Sequence, residues 1–199
     1  TGMLRRIVAS GQVPNMIFYG PPGTGKTTVA EIIARQAGKK LYRLNGTTAS
    51  TADIKDIIAS LNTFDGLAGV VLYLDEIQYL NKKQQQTLLE FLENGQITLI
   101  ASTTENPYFY IYNAILSRST VFEFRAVAPQ AIEKAVLRAV AALEEEYQTA
   151  VALEDGVLEA IAHSCGGDVR KSLNMVEVAF LAAKTTPQGR CITLEDAGA

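Results

Sequence analysis

The chain has 199 residues, enough for one large domain or two small ones with a substantial core. Hydrophobic residues at 48%, charged residues at 20% and a net charge of −3 fit a soluble globular protein with no overall attraction to nucleic acid, leaving only a local basic patch open. Two cysteines, Cys165 and Cys191, lack C-x-x-C spacing or a His-rich neighbourhood, so they point to free thiols in a reducing cytoplasm; no apolar run reaches membrane-spanning length and no signal-peptide pattern opens the chain.

In chain order, residues 3–10 place Leu4, Ile7 and Val8 on one helical face, with Gly11 as a stop. Met16-Ile17-Phe18-Tyr19 predicts a buried strand, and Thr27 to Ala37 a helix with Val29, Ile32 and Ile33 inward. Leu41 to Leu44 predicts a second strand. A helix carrying Ile54, Ile57, Ile58 and Leu61 follows, then a break over 62–69. Val70 to Leu74 is apolar without alternation, as a parallel strand covered on both faces should be. Asn81 and Gln84 have capping-box spacing before a helix with Leu88, Leu89 and Leu92 inward. Thr98 to Ala101 and Val121 to Phe124 predict two more strands, which makes a parallel sheet flanked by helices. Beyond Pro129 only helices are predicted, near 130–146, 155–163 and from an Asp168 cap onward. The expected organisation is an α/β core over residues 1–127 and a small all-α domain over 128–199.

The chemistry concentrates after the first strand. Gly20-Pro21-Pro22-Gly23-Thr24-Gly25-Lys26-Thr27 is G-x-x-x-x-G-K-[ST], lying between a predicted strand and a predicted helix as that motif requires. Glycines let the backbone turn its N–H groups inward, and the helix N-terminus adds partial positive charge, so residues 20–28, with Thr28 as the last, form an anion cradle. Lys26 is placed for the outer phosphates and the Thr27 hydroxyl for Mg²⁺. Asp75 and Glu76 directly follow the apolar run 70–74, where ligands of an open parallel sheet collect. Asp75 there can hold Mg²⁺ and Glu76 can deprotonate a water. The pattern implies binding and hydrolysis of a nucleoside triphosphate. A P-loop kinase is disfavoured by Glu76, and ATP is preferred because no N-K-x-D guanine signature occurs.

Gly20–Thr27 together with Leu74-Asp75-Glu76 resembles an AAA+ ATPase. Asp75 through Lys82, LIASTTENP over 99–107, AILSR over 114–118 and GGDVRKSLN over 166–174 are most similar to the replication-associated recombination protein A family. This resemblance implies a P-loop AAA+ five-stranded sheet with a helical lid, and it assigns further roles. Thr104 corresponds to sensor 1. Arg118 corresponds to an arginine finger acting on a neighbouring subunit, a contribution of about 10³–10⁵-fold in rate. Arg170 corresponds to sensor 2, and Asn45 to the residue that restrains the catalytic glutamate in related loaders. It further implies a homo-oligomer, a tetramer in the full-length protein, with DNA and single-strand-binding protein as partners at stalled replication forks and no membrane.

Three positions depart from that pattern: Gln78 stands where the family has His, Ala101-Ser102 replaces Gly-Ala, and Lys171 replaces a second Arg. Chain ends at Thr1-Gly2 and Gly198-Ala199 lead us to expect a fragment without the family's N-terminal adenine-covering segment and C-terminal assembly domain, with weak or no activity alone. Two alternatives share these motifs, a clamp-loader-type subunit and a nucleotide-gated module without turnover. His163, the only histidine, reads as structural. Tyr108, Phe109, Tyr110 and Tyr112 read as packing residues before base-stacking ones, and Lys82 with Lys83 is too small a cluster for a nucleic-acid footprint.

Overall fold

The computed structural model describes residues 2–60 and 69–198. Leu61 and the predicted break, apart from Gly69, lie outside these. The described residues form two compact units, Thr1–Gly20 with Gly25–Phe124, and Pro21–Thr24 with Arg125–Ala199.

In the first unit the elements are α1 (Gly2–Ser10), β1 (Met16–Tyr19), α2 (Lys26–Gln36), β2 (Lys40–Asn45), α3 (Thr51–Ser60) and β3 (Val70–Asp75). A single 3₁₀ turn (Ile77–Tyr79) leads to α4 (Lys82–Glu93), β4 (Ile97–Thr103), α5 (Pro107–Tyr110), α6 (Asn113–Ser117) and β5 (Thr120–Glu123). The strands pair in parallel in the order β2-β3-β4-β1-β5. Apolar side chains alternate between two cores. On one face, Leu72, Leu74, Leu99 and Ala101 pack with Ile57, Leu88 and Ile115. On the other, Val71, Tyr73, Ile100, Met16 and Phe18 pack with Ala30, Ile33 and Ala34 of α2. Burial on both faces explains why β3 and β4 carry no polar alternation. α4 starts as its sequence requires: Gln84 N donates to Asn81 Oδ1 (2.8 Å) and Asn81 N to Gln84 Oε1 (2.9 Å).

The second unit holds α7 (Pro129–Tyr147), α8 (Val157–Ser164) and α9 (Val169–Ala182), with Lys171 N donating to the Asp168 cap (3.1 Å). Ile132, Val136, Ile161, Val176 and Phe180 form its core. It is not the wholly helical unit that the sequence predicts. β6 (Val151–Leu153), β7 (Thr185–Thr186) and β8 (Gly189–Ile192) make a small sheet in the order β6-β8-β7, with β6 and β8 parallel. Strands of two to four residues are too short for a period-2 pattern to register. Among the described residues no helix is long and apolar enough to cross a membrane.

The reciprocal cap at Asn81 supplies both halves of its bond from one turn. We expect Asn81→Ala to lower the unfolding free energy by about 1 kcal/mol, read as a shift in urea midpoint at unchanged slope.

Candidate active site

Parallel pairing sends the C-terminal ends of all five strands to one edge of the sheet, and Lys26, Thr27, Asn45, Asp75, Glu76 and Thr104 lie at or just beyond strand ends there, whereas Arg118 precedes β5. Tyr19 is in register with Thr103, and Asn45 with Asp75. β4 lies between β1 and β3, so the phosphate-loop strand and the acidic strand flank it.

Gly20 N donates to Thr103 O (3.1 Å), and Phe124 N donates to Tyr19 O (2.7 Å). At φ +146°, with the Phe124 carbonyl occupying the place of a Cβ, only glycine fits at position 20. Gly25 precedes α2 in a left-handed conformation. Lys26, on the first turn, is buried and donates from Nζ to Gly20 O (2.8 Å). Thr27 is half-buried and Thr28 exposed. Pro21–Thr24 cluster with the second unit, where Thr24 Oγ1 donates to Pro21 O (2.9 Å) and Val169 N to Gly23 O (3.1 Å).

Alternation along the strands puts Tyr73, Asp75 and Ser102 on the α2 face, with Val71 and Ile100. A chain of hydroxyls runs across it. Thr27 Oγ1 and Tyr73 OH are 3.0 Å apart, Tyr73 also bonds to Ser102, and Ser102 Oγ donates to Asp75 Oδ1. In the Thr27–Tyr73 bond either hydroxyl can be the donor. Tyr73 and Ser102 are fully buried. Burial pushes the Tyr73 phenol above its ordinary value of about 10; the hydrogen bonds to Ser102 and Thr27 oppose this and the Asp75 carboxylate reinforces it.

The donor set suits Mg²⁺: a hydroxyl and a carboxylate, both hard oxygens, tied into one network. Among the described residues no cluster of three or more His, Cys, Asp or Glu side chains could hold a metal alone. Such a pair fits a cation that shares its shell with phosphate oxygens and water.

Glu76 follows in a left-handed conformation (φ 55°, ψ 48°), its N–H on Asp75 Oδ1 (3.1 Å) and its carboxylate Oε2 accepting from Gln78 Nε2. Gly46 N donates to Asp75 O (2.7 Å), and a Cβ at Gly46 would overlap Glu76 O, so the acidic turn also depends on a glycine of the neighbouring strand's end. Asn45 is in register beside Asp75, but its Oδ1 accepts from Thr47 N (2.9 Å) and Thr47 Oγ1 (2.6 Å). Asn45 Oδ1 thus caps its own turn, while the Glu76 carboxylate accepts from the Gln78 amide.

β4 ends at Thr103, whose Oγ1 accepts from Glu105 N (3.0 Å); Thr104 lies exposed one residue beyond. Arg118, capping α6, is exposed and donates to Glu93 Oε1 (2.8 Å) and Ala114 O (3.2 Å). Arg170 is exposed in the first turn of α9, in the second unit. His163 is exposed on α8. The aromatics after Pro107 are exposed rather than packed, Phe109 to 83%, because Pro107, Ile111 and Ile115 take the buried positions of that segment. Sequence reasoning missed Tyr73, Ser102, Gly46 and the role of Gln78. A lone Tyr or Ser inside an apolar strand run was the available signal for the first two.

A family model, "ATPase family associated with various cellular activities (AAA)", matches residues 16–129. The chain belongs to the AAA family. It is 40% identical to replication-associated recombination protein A of Bacillus subtilis over 98% of its length and 36% identical to that of Escherichia coli over 94%. It spans 46% and 42% of those two proteins. Among solved structures, the Thermotoga maritima RuvB Holliday junction branch migration motor superposes with a TM-score of 0.75 at 25% identity, over 98% of this chain and 63% of that one. A point mutant of RuvB from the same organism gives 0.77 at 24% identity, with the same coverage of both chains. The AAA fold expected from the residues around Lys26 and Asp75 is thus the observed one.

The hydroxyl chain carries a pH signature. A phenol whose folded pKa exceeds its unfolded value contributes stability that is intact below pH 10 and is lost as pH rises through the folded value. We expect Tyr73→Phe to cost about 1 kcal/mol at pH 8, with the gap to the parent narrowing at pH 11, measured by urea unfolding at both pH values.

Proposed function

We propose that this chain is the Mg²⁺-dependent ATP-hydrolysing module of a protein that acts on DNA in replication and recombination, at stalled forks. The observation that carries this reading is the hydrogen-bonded chain from Thr27 through Tyr73 and Ser102 to Asp75, which ties the phosphate-loop helix to the acidic strand end.

In this reading the backbone of residues 20–28 cradles the phosphates, and Lys26 leaves Gly20 O to meet their outer oxygens. Thr27 and Asp75 would hold Mg²⁺, which would supply charge to neutralise the phosphates. Glu76 takes a proton from a water as its oxygen forms a bond to the γ-phosphorus; the bond to the bridging oxygen breaks, and ADP leaves with that electron pair. Thr104 helps hold the water and γ-phosphate.

Arg118 acts on the site of a neighbouring copy. Its bond to Glu93 joins two side chains 42% and 45% exposed, an exposed pair worth about 0–1 kcal/mol, so a phosphate oxyanion competes for it readily. Arg170 reports on the γ-phosphate from the second unit. Similarity to proteins named replication-associated recombination protein A supports DNA as partner, and a homo-oligomeric, cytoplasmic protein is part of the proposal. Tetrameric assembly and single-strand-binding protein as partner belong to the same proposal.

The test compares Glu76→Gln and Arg118→Ala in the full-length protein, with phosphate release and binding of a fluorescent ATP analogue measured separately. Glu76→Gln is expected to lower turnover by about 10²–10⁴-fold while the analogue still binds. Arg118→Ala is expected to remove turnover of the assembled protein without loss of binding. Turnover that survives Glu76→Gln would overturn the proposal.

A further inference from the structure

The carboxylate that this chemistry needs is held by one neighbour. Gln78 lies in the 3₁₀ turn directly after Glu76, and its Nε2 donates to Glu76 Oε2. The orientation of that amide is not open. Turning it over would set a carbonyl oxygen against a carboxylate, and its other atom, Oε1, is buried without a hydrogen-bond partner among the described residues. An amide with its oxygen orphaned in this way is held by its contact to Glu76, and a buried orphan asks for a functional reason.

The turn that carries Gln78 is fixed independently. Tyr79 N donates to Glu76 O (3.1 Å), Leu80 N donates to Ile77 O (3.0 Å), and Ile77 is fully buried in the core beneath. Glu76 itself sits in a left-handed conformation against Gly46. The base and its donor therefore ride on one rigid turn. Asn45, the neighbour expected to hold Glu76, has its amide oxygen engaged with Thr47.

We infer that Gln78 is a positioning residue for hydrolysis: its amide N–H pins one oxygen of Glu76 so that the other faces the attacking water. A general base must keep its proton-accepting oxygen within hydrogen-bond reach of the water, and a carboxylate on three free torsions spends little time so aligned. The bond to Oε2 removes that freedom and leaves Oε1 for the proton. This inference rests on the reading of Glu76 as the base.

The experiment is steady-state ATP hydrolysis by the full-length protein with Gln78→Leu, which keeps the volume and drops the donor, and Gln78→His, which restores an N–H. Gln78→Leu is expected to lower kcat about 10–100-fold with KM for ATP and binding of a fluorescent ATP analogue changed less than twofold. Gln78→His is expected to recover kcat to within a few-fold of the parent. A merely structural role would move the thermal midpoint, or KM with kcat, and would give no recovery specific to a donor. Unchanged or raised kcat in Gln78→Leu, or a Gln78→His no faster than it, overturns the inference. Glu76→Gln, run alongside, separates the two levels: if it hydrolyses ATP at the parent rate, the base assignment has failed and not only its holder.

Discussion

Everything at the sheet's C-terminal edge depends on one buried run of hydroxyls, from Thr27 on α2 through Tyr73 on β3 and Ser102 on β4 to Asp75. Two of these groups are sealed from water, where an unpaired hydroxyl would cost about 1–3 kcal/mol. Such a network stabilises only when every member is satisfied, so it fixes positions more strictly than apolar packing does. It also locks register. A one-residue slip of β3 against β4 would carry Tyr73 and Asp75 to the face of Leu72 and Leu74 and leave Ser102 facing α2 alone. The phosphate-loop helix and the acidic strand are thereby held to one another directly, Thr27 to Tyr73, and β4 joins them through Ser102.

What could be read from sequence was local. The apolar runs of β1, β3 and β4 exposed their double-sided burial. Gly20 to Thr27 carried strand, glycine spacing and helix start together, and Asn81 with Gln84 announced a cap that the structure reproduces atom for atom. What could not be read depended on neighbours far along the chain. Ser102 counted only as a departure from a family pattern until β4 was placed beside β3, with Ser102 two residues beyond Ile100 on the α2 face. Asn45 was placed by its strand, while the cap its amide oxygen makes on Thr47 depends on the turn that follows. The strands of the second unit escaped because β7 and β8 form a hairpin around Pro187 and Gln188, too brief for pattern, and β6 pairs with β8 from almost forty residues away.

The left-handed residue at the end of β3 completes the arrangement, and it works against local preference. A non-glycine side chain there costs roughly 1–2 kcal/mol. Strand alternation gives the reason it is retained. Asp75 points to the α2 face with Tyr73, so an extended Glu76 would follow Leu74 to the opposite face, into the core that holds Ile77. The turn at φ 55° breaks the alternation, and Tyr79 N on Glu76 O and Gly46 N on Asp75 O hold the bend. Two adjacent carboxylates that a straight strand would separate by a whole sheet thickness therefore stay at one edge, one sharing the hydroxyl chain of the phosphate-loop helix and the other bound to Gln78. Glycine at position 76 would relieve the backbone but remove the carboxylate. Alanine at position 46 would keep every other side chain, yet its methyl would displace the carbonyl on which the bend turns, so the geometry of the two carboxylates is set as much by a missing side chain on β2's exit as by the acids themselves.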